Sequence, residues 1–427
     1  MSTSGCWFQA GVGPGRTAFN DLETTVTAAN VSQLVPDWTA SLGGPIGSEP
    51  LVDGANVYAR SDGRLSSFDL GTGAVRWSVP AGKSGDIGGG SAAVPALDDG
   101  WLWVPTPGQA CTLLQVNPAD GNTVGQRVYN GLPADQVPPT AIRLGGCRTG
   151  DALAAGSWIV VPSIVQVIVD SNSLPGGPAC PPGVTDLFIT SARLSAIDLV
   201  RDQGWSLSQD ASSCGSPPAT PVPFQGVSQS GDQLVVTRGS TVSAYPLAGC
   251  PFRQPCPATW SLDIGSQITG SPVVLSNGDI AVSGVGGTTV IDGTSHTVEW
   301  TASVGSTLAA TPTSIFVVSS VPPGVTTIVS ALPAGGCGAA TCTPTWTATL
   351  QAGPSGRASI GGDVVYVGHG RVVSALPVAG CGADTCAPLW EGTTTTTQGI
   401  SSPPVIDNGE LLVGNRAGTV AAFSLPA

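Results

Sequence analysis

The chain has 427 residues, only 10% of them charged, and carries a formal net charge of −13 with a single lysine, Lys83. Without a basic stripe to bind phosphate groups, this composition argues against a nucleic-acid partner and against attachment to an anionic membrane surface. No run of about 18 apolar residues could span a membrane, and residues 1–5 lack the basic start and apolar core of a signal peptide.

The predicted elements repeat along the chain, and each full copy ends in a strand that carries a tryptophan. The fullest copy, residues 48–77, contains short runs of alternating apolar residues separated by Gly and Pro turns, the pattern of antiparallel β-strands. A repeat of roughly 40 to 50 residues with several strands per copy is typical of a β-propeller, an all-β ring of four-stranded antiparallel blades. The marker tryptophans are Trp38, Trp77, Trp205, Trp260, Trp300, Trp346 and Trp390.

The spacing of these tryptophans predicts the number of blades. The longest gap holds a degenerate copy at residues 117–125, with Gly125 in the place of the tryptophan, followed by one unit with insertions. The last unit lacks its final strand, and residues 34–40 supply a spare one. We therefore predict an eight-bladed β-propeller whose ring closes when the N-terminal strand joins the C-terminal blade. Seven blades is the alternative, if residues 126–205 do not form a true blade.

The chain divides into an N-terminal segment, residues 1–33, and a single propeller, residues 34–427. Three segments interrupt the regular repeat, at residues 130–156, 168–188 and 206–224. We expect them to be long loops that gather on one face of the ring, because insertions in a repeat protein often form its binding surface.

Eleven cysteines favour disulfides and an oxidising compartment. Six of them form local pairs at the place where other blades carry an Asp-x-x-Thr-Gly turn, so we predict a disulfide across this turn in three blades. Zinc binding is the alternative, but each blade offers only two thiols and the chain has only two histidines. The pairs are Cys250 with Cys256, Cys337 with Cys342, and Cys381 with Cys386.

Four further cysteines lie in or near connections that should emerge on one face of the propeller. We favour disulfides that join Cys111 to Cys147 and Cys180 to Cys214. Cys6 is left over, either as the lipid-anchored cysteine of a processed lipoprotein or as a partner in a different pairing. The cysteines as a whole indicate an extracellular or cell-surface protein whose export signal has been removed.

Several polar residues are candidates for a site on the central channel. Glu49 and Arg357 lie at the start of the innermost strand of their blades, and the same alignment adds Ser271 and Thr311. A charge aimed at a narrow channel needs a partner or water. These residues therefore form either a ligand or ion site, or a salt bridge that lines a hydrated channel. Asp86, in a glycine-rich connection, is a further candidate ligand.

The two histidines give little support to catalysis. His296 lies in an outer turn, where we expect it to be exposed to solvent, and His369 lies at a strand end. Ser-His-Asp chemistry would need one of them beside a serine and a buried carboxylate, and no Gly-x-Ser-x-Gly motif supports it. We therefore predict no catalytic residue and no metal ligand.

The sequence motif of the blades has a Val-Tyr-Val strand, an Asp-Gly turn and an Asp-x-x-Thr-Gly-x-x-x-Trp ending. It resembles the pyrroloquinoline-quinone-like (PQQ-like) propeller repeat. The resemblance implies the propeller fold over nearly the whole chain. The family includes quinoprotein alcohol dehydrogenases, an outer-membrane assembly lipoprotein and secreted proteins without known catalysis. The cysteine-bridged blades look most like secreted bacterial members of actinobacterial type. The N-terminal stretches similar to secreted members are Trp7–Gln9, Arg16–Asn20, Glu23–Thr25, Asn30–Leu34 and Trp38.

The catalytic residues of the quinoprotein enzymes do not carry over. Those enzymes hold their quinone over the axis between a tryptophan and a disulfide of adjacent cysteines, with a metal ion and a catalytic Asp. This chain has no two adjacent cysteines, and Lys83 matches no motif. The resemblance therefore implies the scaffold without the catalysis. We expect no bound PQQ, and the sequence leaves any other cofactor open.

The sequence thus favours a secreted or lipid-anchored, non-catalytic propeller that binds a protein or polysaccharide through its insertion-bearing face. A quinoprotein-like oxidoreductase, or another enzyme with its site over the channel, is the alternative. A structural component of an extracellular assembly is the third possibility. No pattern in the sequence sets the oligomeric state.

Overall fold

Eight antiparallel sheets follow one another along the chain and form the blades of a β-propeller. The prediction of eight four-stranded blades is confirmed, and the alternative of seven is wrong. Within the described ranges, no helix is long and apolar enough to cross a membrane. The computed structural model describes residues 6–61, 63–82, 93–108, 111–129, 142–171, 180–201, 203–219, 221–249, 256–321, 326–351, 356–395 and 398–426.

The N-terminal segment contributes short elements, and the blades follow in chain order. The first elements are β1 (Cys6–Trp7), β2 (Phe19–Asn20), a turn of 3-10 helix (Val31–Gln33) and β3 (Val35–Ser41). Blade 1 contains β4 (Leu51–Asp53), β5 (Asn56–Ser61), β6 (Gly63–Asp69) and β7 (Val75–Gly82); blade 2 contains β8 (Ala96–Asp98), β9 (Trp101–Thr106), β10 (Thr112–Val116) and β11 (Thr123–Val128). Blade 3 contains β12 (Ile142–Thr149), β13 (Leu153–Ala155), β14 (Trp158–Asp170), β15 (Asp186–Asp198) and β16 (Gln203–Cys214); blade 4 contains β17 (Gly226–Ser230), β18 (Gln233–Arg238), β19 (Thr241–Pro246) and β20 (Trp260–Asp263).

The second half of the ring has the same construction, and its last blade takes β3 as its fourth strand. Blade 5 contains β21 (Val273–Val274), β22 (Ile280–Gly284), β23 (Gly287–Ile291) and β24 (Val298–Ala302); blade 6 contains β25 (Thr307–Ala310), β26 (Ser314–Val321), β27 (Thr326–Pro333) and β28 (Trp346–Gln351). Blade 7 contains β29 (Ser359–Gly361), β30 (Val364–His369), β31 (Val372–Pro377) and β32 (Trp390–Thr393); blade 8 contains β33 (Val405–Asp407), β34 (Glu410–Gly414) and β35 (Thr419–Ser424).

Burial within a blade decreases from the axis outward. In blade 7, β30 is buried along its whole length, because neighbouring blades cover both of its faces. In blade 2, the outermost strand β11 alternates between exposed and half-buried residues. The core therefore lies between blades, as where Phe316 and Trp346 of blade 6 pack in one cluster with Val365 and Leu376 of blade 7.

Most marker tryptophans pack on a glycine of the next blade. Trp38 lies against Gly73, where an added Cβ would come within 2.4 Å of the indole. Gly73 has a φ of +66°, which glycine adopts without strain, and the indole N–H of Trp38 donates to the Leu70 carbonyl at 2.7 Å. This contact explains why the repeat couples a Thr-Gly turn with a tryptophan. The same packing joins Trp77 to Gly121, Trp205 to Gly249, Trp300 to Gly336 and Trp346 to Gly380.

Blade 5 carries a histidine at the position of that glycine. The ring of His296 stacks on Trp260 of blade 4 with centroids 4.6 Å apart, and His296 has a φ of +57°. The expectation that His296 is exposed to solvent is wrong, because the indole covers one face of the imidazole and leaves the residue half-buried.

The ring closes through antiparallel pairing of β3 with β35. This pairing places Trp38 on the outermost strand of blade 8, from which it reaches Gly73 of blade 1. Trp390 of blade 7 donates its indole N–H to the carbonyl of Leu34, immediately before β3, at 2.9 Å. The predicted closure by the N-terminal strand is therefore confirmed.

Disulfides close the outer turns of two blades, as predicted. In blade 6, Cys337 is bonded to Cys342, and the backbone N–H of Cys342 donates to the carbonyl of Thr301 on blade 5 at 2.7 Å. The disulfide thus fixes a loop that pairs with the outer edge of the preceding blade. Cys256 is also disulfide-bonded, and Cys250 lies outside the described residues. Blade 7 repeats the arrangement with Cys381, Cys386 and Thr347.

Blade 3 is longer than its neighbours. β14 and β15 have 13 residues each, and β14 pairs first with β13 and then, from Ser163 onward, with β12. Strands therefore occupy much of the described parts of the segments expected to be loops, because β14 keeps alternating apolar residues beyond the ring. We call β12 together with residues 163–170, 186–193 and 208–214 the extension of blade 3.

The extension projects from one face of the ring. The innermost strand of each blade begins at this face, which we call the upper face. β14 runs antiparallel to the innermost strand β13, so the later residues of β14 point back toward the upper face. The extension therefore stands on the same side as the residues that precede the innermost strands, Glu49 and Arg357 among them.

Candidate functional site

The N-terminal segment runs once around the axis of the ring. Between Trp7 and Asn20 it forms strand pairing or hydrogen bonds with the innermost strands of all eight blades, in blade order. These contacts lie along the innermost strands, so the segment runs against the wall that all eight blades form around the axis. Its partners, from blade 1 to blade 8, are Val52, Leu97, Ala154, Gln229, Val274, Ala310, Ile360 and Ile406.

The structure brings the channel candidates Glu49 and Arg357 together. Glu49 Oε1 accepts a hydrogen bond from Arg357 Nη1 at 3.2 Å. Its Oε2 accepts the backbone N–H of Gly11 at 2.7 Å and the indole N–H of Trp7 at 3.2 Å. Glu49 is 2% exposed, so these bonds replace its hydration. The carboxylate fastens the N-terminal segment to blades 1 and 7.

A third charged residue reaches the axis, and the sequence analysis missed it as a site residue. Arg16 of the N-terminal segment is buried, and its guanidinium donates to the carbonyls of Val227, Ala10 and Ala152 at 2.7, 3.3 and 3.4 Å. Burial lowers the pKa of Arg16 to about 10, against the opposing effect of the Asp151 carboxylate. The side chain therefore stays a cation at neutral pH.

Arg16 and Arg357 line one small pocket on the upper side of the axis. Ser271 and Ser306 lie beside them, immediately before the innermost strands of blades 5 and 6. The pocket has a volume of about 30 Å³, room for one or two water molecules. The described wall consists of Arg16, Gly270, Ser271, Val273, Ser283, Ser306, Thr307, Leu308 and Arg357.

Thr311, another of the channel candidates, is not part of this wall. The alignment that places Thr311 before the innermost strand of blade 6 is wrong, because β25 ends one residue earlier. Thr311 lies in the following turn, where its hydroxyl accepts the backbone N–H of Ser314 at 3.1 Å, and Ser306 takes the position at the start of the strand. Asp86 lies outside the described residues.

His369 belongs to a buried chain of hydrogen bonds in blade 7. Its Nδ1 donates to the Gln351 carbonyl at 2.6 Å, and its Nε2 lies 2.7 Å from Ser374 Oγ. Ser374 donates to a carboxylate oxygen of Glu391 at 2.9 Å. A serine beside a histidine is the pair that nucleophilic catalysis uses. Ser374 is fully buried within the sheet, however, so its hydroxyl presents no nucleophile to a substrate.

One face of the extension of blade 3 packs on blade 2. Alternate valines of β14 are buried there beside the disulfide between Cys111 and Cys147. The backbone of Cys147 exchanges two hydrogen bonds with Gly108 of blade 2. A second disulfide joins Cys214, at the end of β16, to Cys180 in the connection between β14 and β15, so both pairs are those that the sequence favours. The valines are Val165, Val167 and Val169.

The opposite face of the extension is open. Strand alternation turns Gln166 and Ile168 to this side, and the pairing of β14 with β15 sets Ile168 opposite Phe188. The strands of blade 4 are shorter and end within the ring, so within the described ranges no blade stands beside this face. The result is a groove of about 290 Å³. Its lining is Gly146, Gln166, Val167, Ile168, Phe188, Ile189, Thr190 and Pro217.

Known proteins with similar sequence or structure agree with this fold. Residues 3–136 match the family model described as outer membrane protein assembly factor BamB. No curated protein matches the chain. Among solved structures, the chain is similar to the quinohemoprotein alcohol dehydrogenase ADHIIG from Pseudomonas putida HK5. The TM-score is 0.64 at 12% sequence identity, over 99% of this chain and 80% of that one. A likeness at this identity shows the shared fold alone.

Proposed function

Since this chain is a β-propeller of the PQQ-like repeat type, we propose that it is an exported, non-catalytic binding protein. It holds a protein partner in the groove on the extension of blade 3. The observation that carries the proposal is the groove itself, about 290 Å³ in volume and open on the upper face. An uncovered apolar surface that is not needed for folding marks an interaction site.

The composition of the groove favours an apolar side chain of a protein over a sugar. Ile168, Phe188 and Pro217 supply apolar walls, and only Gln166 and Thr190 add polar side chains. Apolar pockets with few polar groups receive the aromatic or aliphatic anchors of protein interfaces. The matching family is described as an outer membrane protein assembly factor, which also supports a protein as the partner.

The disulfides support both a rigid binding surface and export. Cys111–Cys147 ties the extension to blade 2, and Cys180–Cys214 ties the end of β16 to the connection between β14 and β15. A surface ordered before binding loses less conformational entropy when the partner arrives. Disulfides persist in oxidising compartments, which supports an extracellular or cell-surface location. A lipid anchor at Cys6 would hold the protein at the surface.

Selection from a displayed library of random peptides, with the oxidised full chain as target, tests this proposal. We expect selected peptides to carry an apolar anchor, and Phe188→Ser to weaken their binding at least tenfold by calorimetry. Val285→Ser, at a valine of blade 5 that is 84% exposed, is the matched control and should leave binding unchanged.

The same variants decide between ligand classes. A glycan array run in parallel reports on a polysaccharide partner. Glycan binding that Phe188→Ser removes, with no peptide selected, would overturn the protein partner but keep the groove. Peptides that bind the Phe188→Ser and Val285→Ser variants equally well would place the site elsewhere and overturn the proposal.

A quinoprotein-like oxidoreductase is the second candidate function, and the axis does not fit its cofactor. Cofactor sites have volumes of about 300 Å³ or more, whereas the axial pocket has about 30 Å³. The Arg16 side chain lines this pocket, and the N-terminal segment contacts the innermost strands of all eight blades around the axis. The chain also lacks two adjacent cysteines. We therefore derive no catalytic step through a quinone.

A further inference from the structure

The axial pocket has a chemistry that the groove of blade 3 does not share. Its described wall combines two guanidinium groups with the hydroxyls of Ser271 and Ser306 and contains no carboxylate. The chain as a whole has a net charge of −13, so a cationic wall is not a consequence of composition. The wall is that of a site for an anion.

Both arginines keep hydrogen-bond donors that the fold does not use. A guanidinium has five N–H groups. Arg16 makes three hydrogen bonds, to backbone carbonyls, and Arg357 makes one, to Glu49. Two donors on Arg16 and four on Arg357 therefore have no acceptor among the described residues. Charge-assisted hydrogen bonds to an anion are the strongest that these groups can form.

The serine hydroxyls add neutral donors on the same wall. Ser271 and Ser306 make no side-chain hydrogen bond within the described part of the chain. Ser283, in contrast, is engaged, because its Oγ donates to the Gly287 carbonyl at 3.4 Å and accepts the N–H of Ser306 at 2.9 Å. Two free hydroxyls beside two cations add further donors, and no carboxylate of the described wall competes with a ligand for them.

The carboxylates near the arginines are already engaged outside the pocket. Glu49 accepts three hydrogen bonds, and Asp151 accepts the N–H of Val94 at 2.8 Å. Burial has the largest effect on the pKa of Arg16 and lowers it, and the positive charge of Arg357 lowers it further. The two cations therefore repel each other. An anion between them would relieve this repulsion at short range, whereas distant acidic residues are screened over about 10 Å.

We propose that the axial pocket binds a small monovalent anion, a halide or a carboxylate group, between Arg16 and Arg357. The volume of about 30 Å³ admits a group the size of one or two water molecules and excludes a phosphate ester. The anion is either a free ion or the carboxylate end of a larger ligand that enters from the upper face. By holding Arg16, it would fasten the N-terminal segment to blades 5, 6 and 7.

Thermal unfolding of the oxidised full chain tests the site. At constant ionic strength, methanesulfonate, whose sulfonate group is about as large as the phosphate group that the pocket excludes, is replaced stepwise by chloride, bromide, formate or acetate. A ligand that binds only the native state raises the unfolding midpoint with concentration, and we expect a saturable rise of about 3 °C. A rise with chloride and bromide identifies a halide site, and a rise with formate and acetate alone identifies a carboxylate site. A midpoint that is the same in all five salts overturns the proposal.

Variants separate specific binding from a general salt effect. Ser271→Ala combined with Ser306→Ala should at least halve the anion-dependent rise, because both free hydroxyls are removed while the arginines stay in place. Ser303→Ala, at an exposed serine of the same connection, is the matched control and should keep the full rise. An equal rise in the double variant and the control would overturn the site even if the midpoint responds to chloride.

Discussion

The axis of the ring and the extension of blade 3 both depart from the plain repeat, and they are built in opposite ways. On the axis, charged groups are buried and paired, as Glu49 accepts three hydrogen bonds and Arg16 donates three. On the open face of the extension, Ile168 and Phe188 are only half-buried. Buried pairs are costly to break, whereas an uncovered apolar face contributes little to folding.

The two regions differ because of what stands beside them. At the axis, eight blades and the N-terminal segment meet, so a polar group there needs a partner in the protein, in water or in a bound ligand. In the extension, one blade outgrows its neighbour, and the face that blade 4 would cover in the ring has no such cover above it. The buried polar contacts that hold the ring together therefore lie on the axis, whereas the apolar surface open to a protein partner lies on the extension, and substitutions should affect the two regions to different degrees.

The largest loss of stability is expected at Glu49. Glu49→Gln keeps the shape of the side chain but removes the charge that pairs with Arg357 and accepts two N–H groups of the N-terminal segment. The free energy of unfolding should fall by about 3 to 5 kcal/mol, measured by chemical denaturation with tryptophan fluorescence. Glu299→Gln, at an exposed residue of blade 5, should change it by less than about 0.5 kcal/mol. Equal losses in the two variants would refute the fastening role of Glu49.

The next largest loss of stability is expected when disulfides are removed. Two disulfides, one in the extension and one in an ordinary blade, allow the two regions to be compared. The bonded cysteines are 36 residues apart in Cys111–Cys147 and five apart in Cys337–Cys342. In the chain-entropy model, their removal costs about 4 and about 2 kcal/mol. Double alanine variants, compared by thermal unfolding, should show this order. In the variant without Cys111–Cys147, amide hydrogen exchange should become faster in the extension. Faster exchange confined to blade 2 would contradict the role of this disulfide in holding the extension.

A smaller, pH-dependent effect on stability is expected at the seam of the ring, by which we mean blade 8 and the strand β3 that completes it. Burial and the neighbouring Asp37 carboxylate raise the pKa of Glu410 from 4.5 to about 8. An acid with a raised pKa stabilises the fold while it is protonated. This contribution is therefore complete below pH 4.5 and is lost as the pH rises through about 8. We expect the free energy of unfolding to fall by about 1 to 2 kcal/mol over this range. This is less than the pKa shift alone would imply, because solvent partly reaches Glu410.

Glu410→Gln isolates this contribution from other titrating groups. The variant cannot ionise at this position, so its stability should vary less than that of the native chain between pH 5 and 9. Asp21→Asn, at an exposed residue of the N-terminal segment, serves as the control and should keep the native profile. Parallel profiles for Glu410→Gln and the native chain would show that the seam does not set the pH dependence.

The fold could be predicted from the sequence because its main contact recurs at a regular interval. Six of the seven marker tryptophans meet a glycine or a histidine of the next blade, and this spacing reveals both the blades and the closing strand. The turn disulfides follow from cysteines only five positions apart. The strands of the extension also have a signal in the sequence, the valines at alternate positions of β14. The prediction of long loops took no account of this alternation.

The axial site could be predicted only in part. Glu49 and Arg357 occupy repeat positions, so alignment of the blades points both at the channel. Arg16 lies outside the repeat, and its partners are backbone carbonyls of Val227 and Ala152, 211 and 136 residues away. A carbonyl is present in every residue and leaves no mark in the sequence. The course of the N-terminal segment around the axis is therefore visible only in the structure.

The smallest effect separates the two faces of one strand. Val167 and Ile168 are neighbours on β14, the first 5% exposed against blade 2 and the second half-exposed on the groove. Val167→Ala should cost about 1 to 2 kcal/mol because it leaves a cavity, whereas Ile168→Ala should cost less than about 1 kcal/mol in the same denaturation experiment. Ile168→Ala should nonetheless weaken the peptides selected on the groove. If its cost in stability equals that of Val167→Ala, the groove face belongs to the core and is not available to a partner.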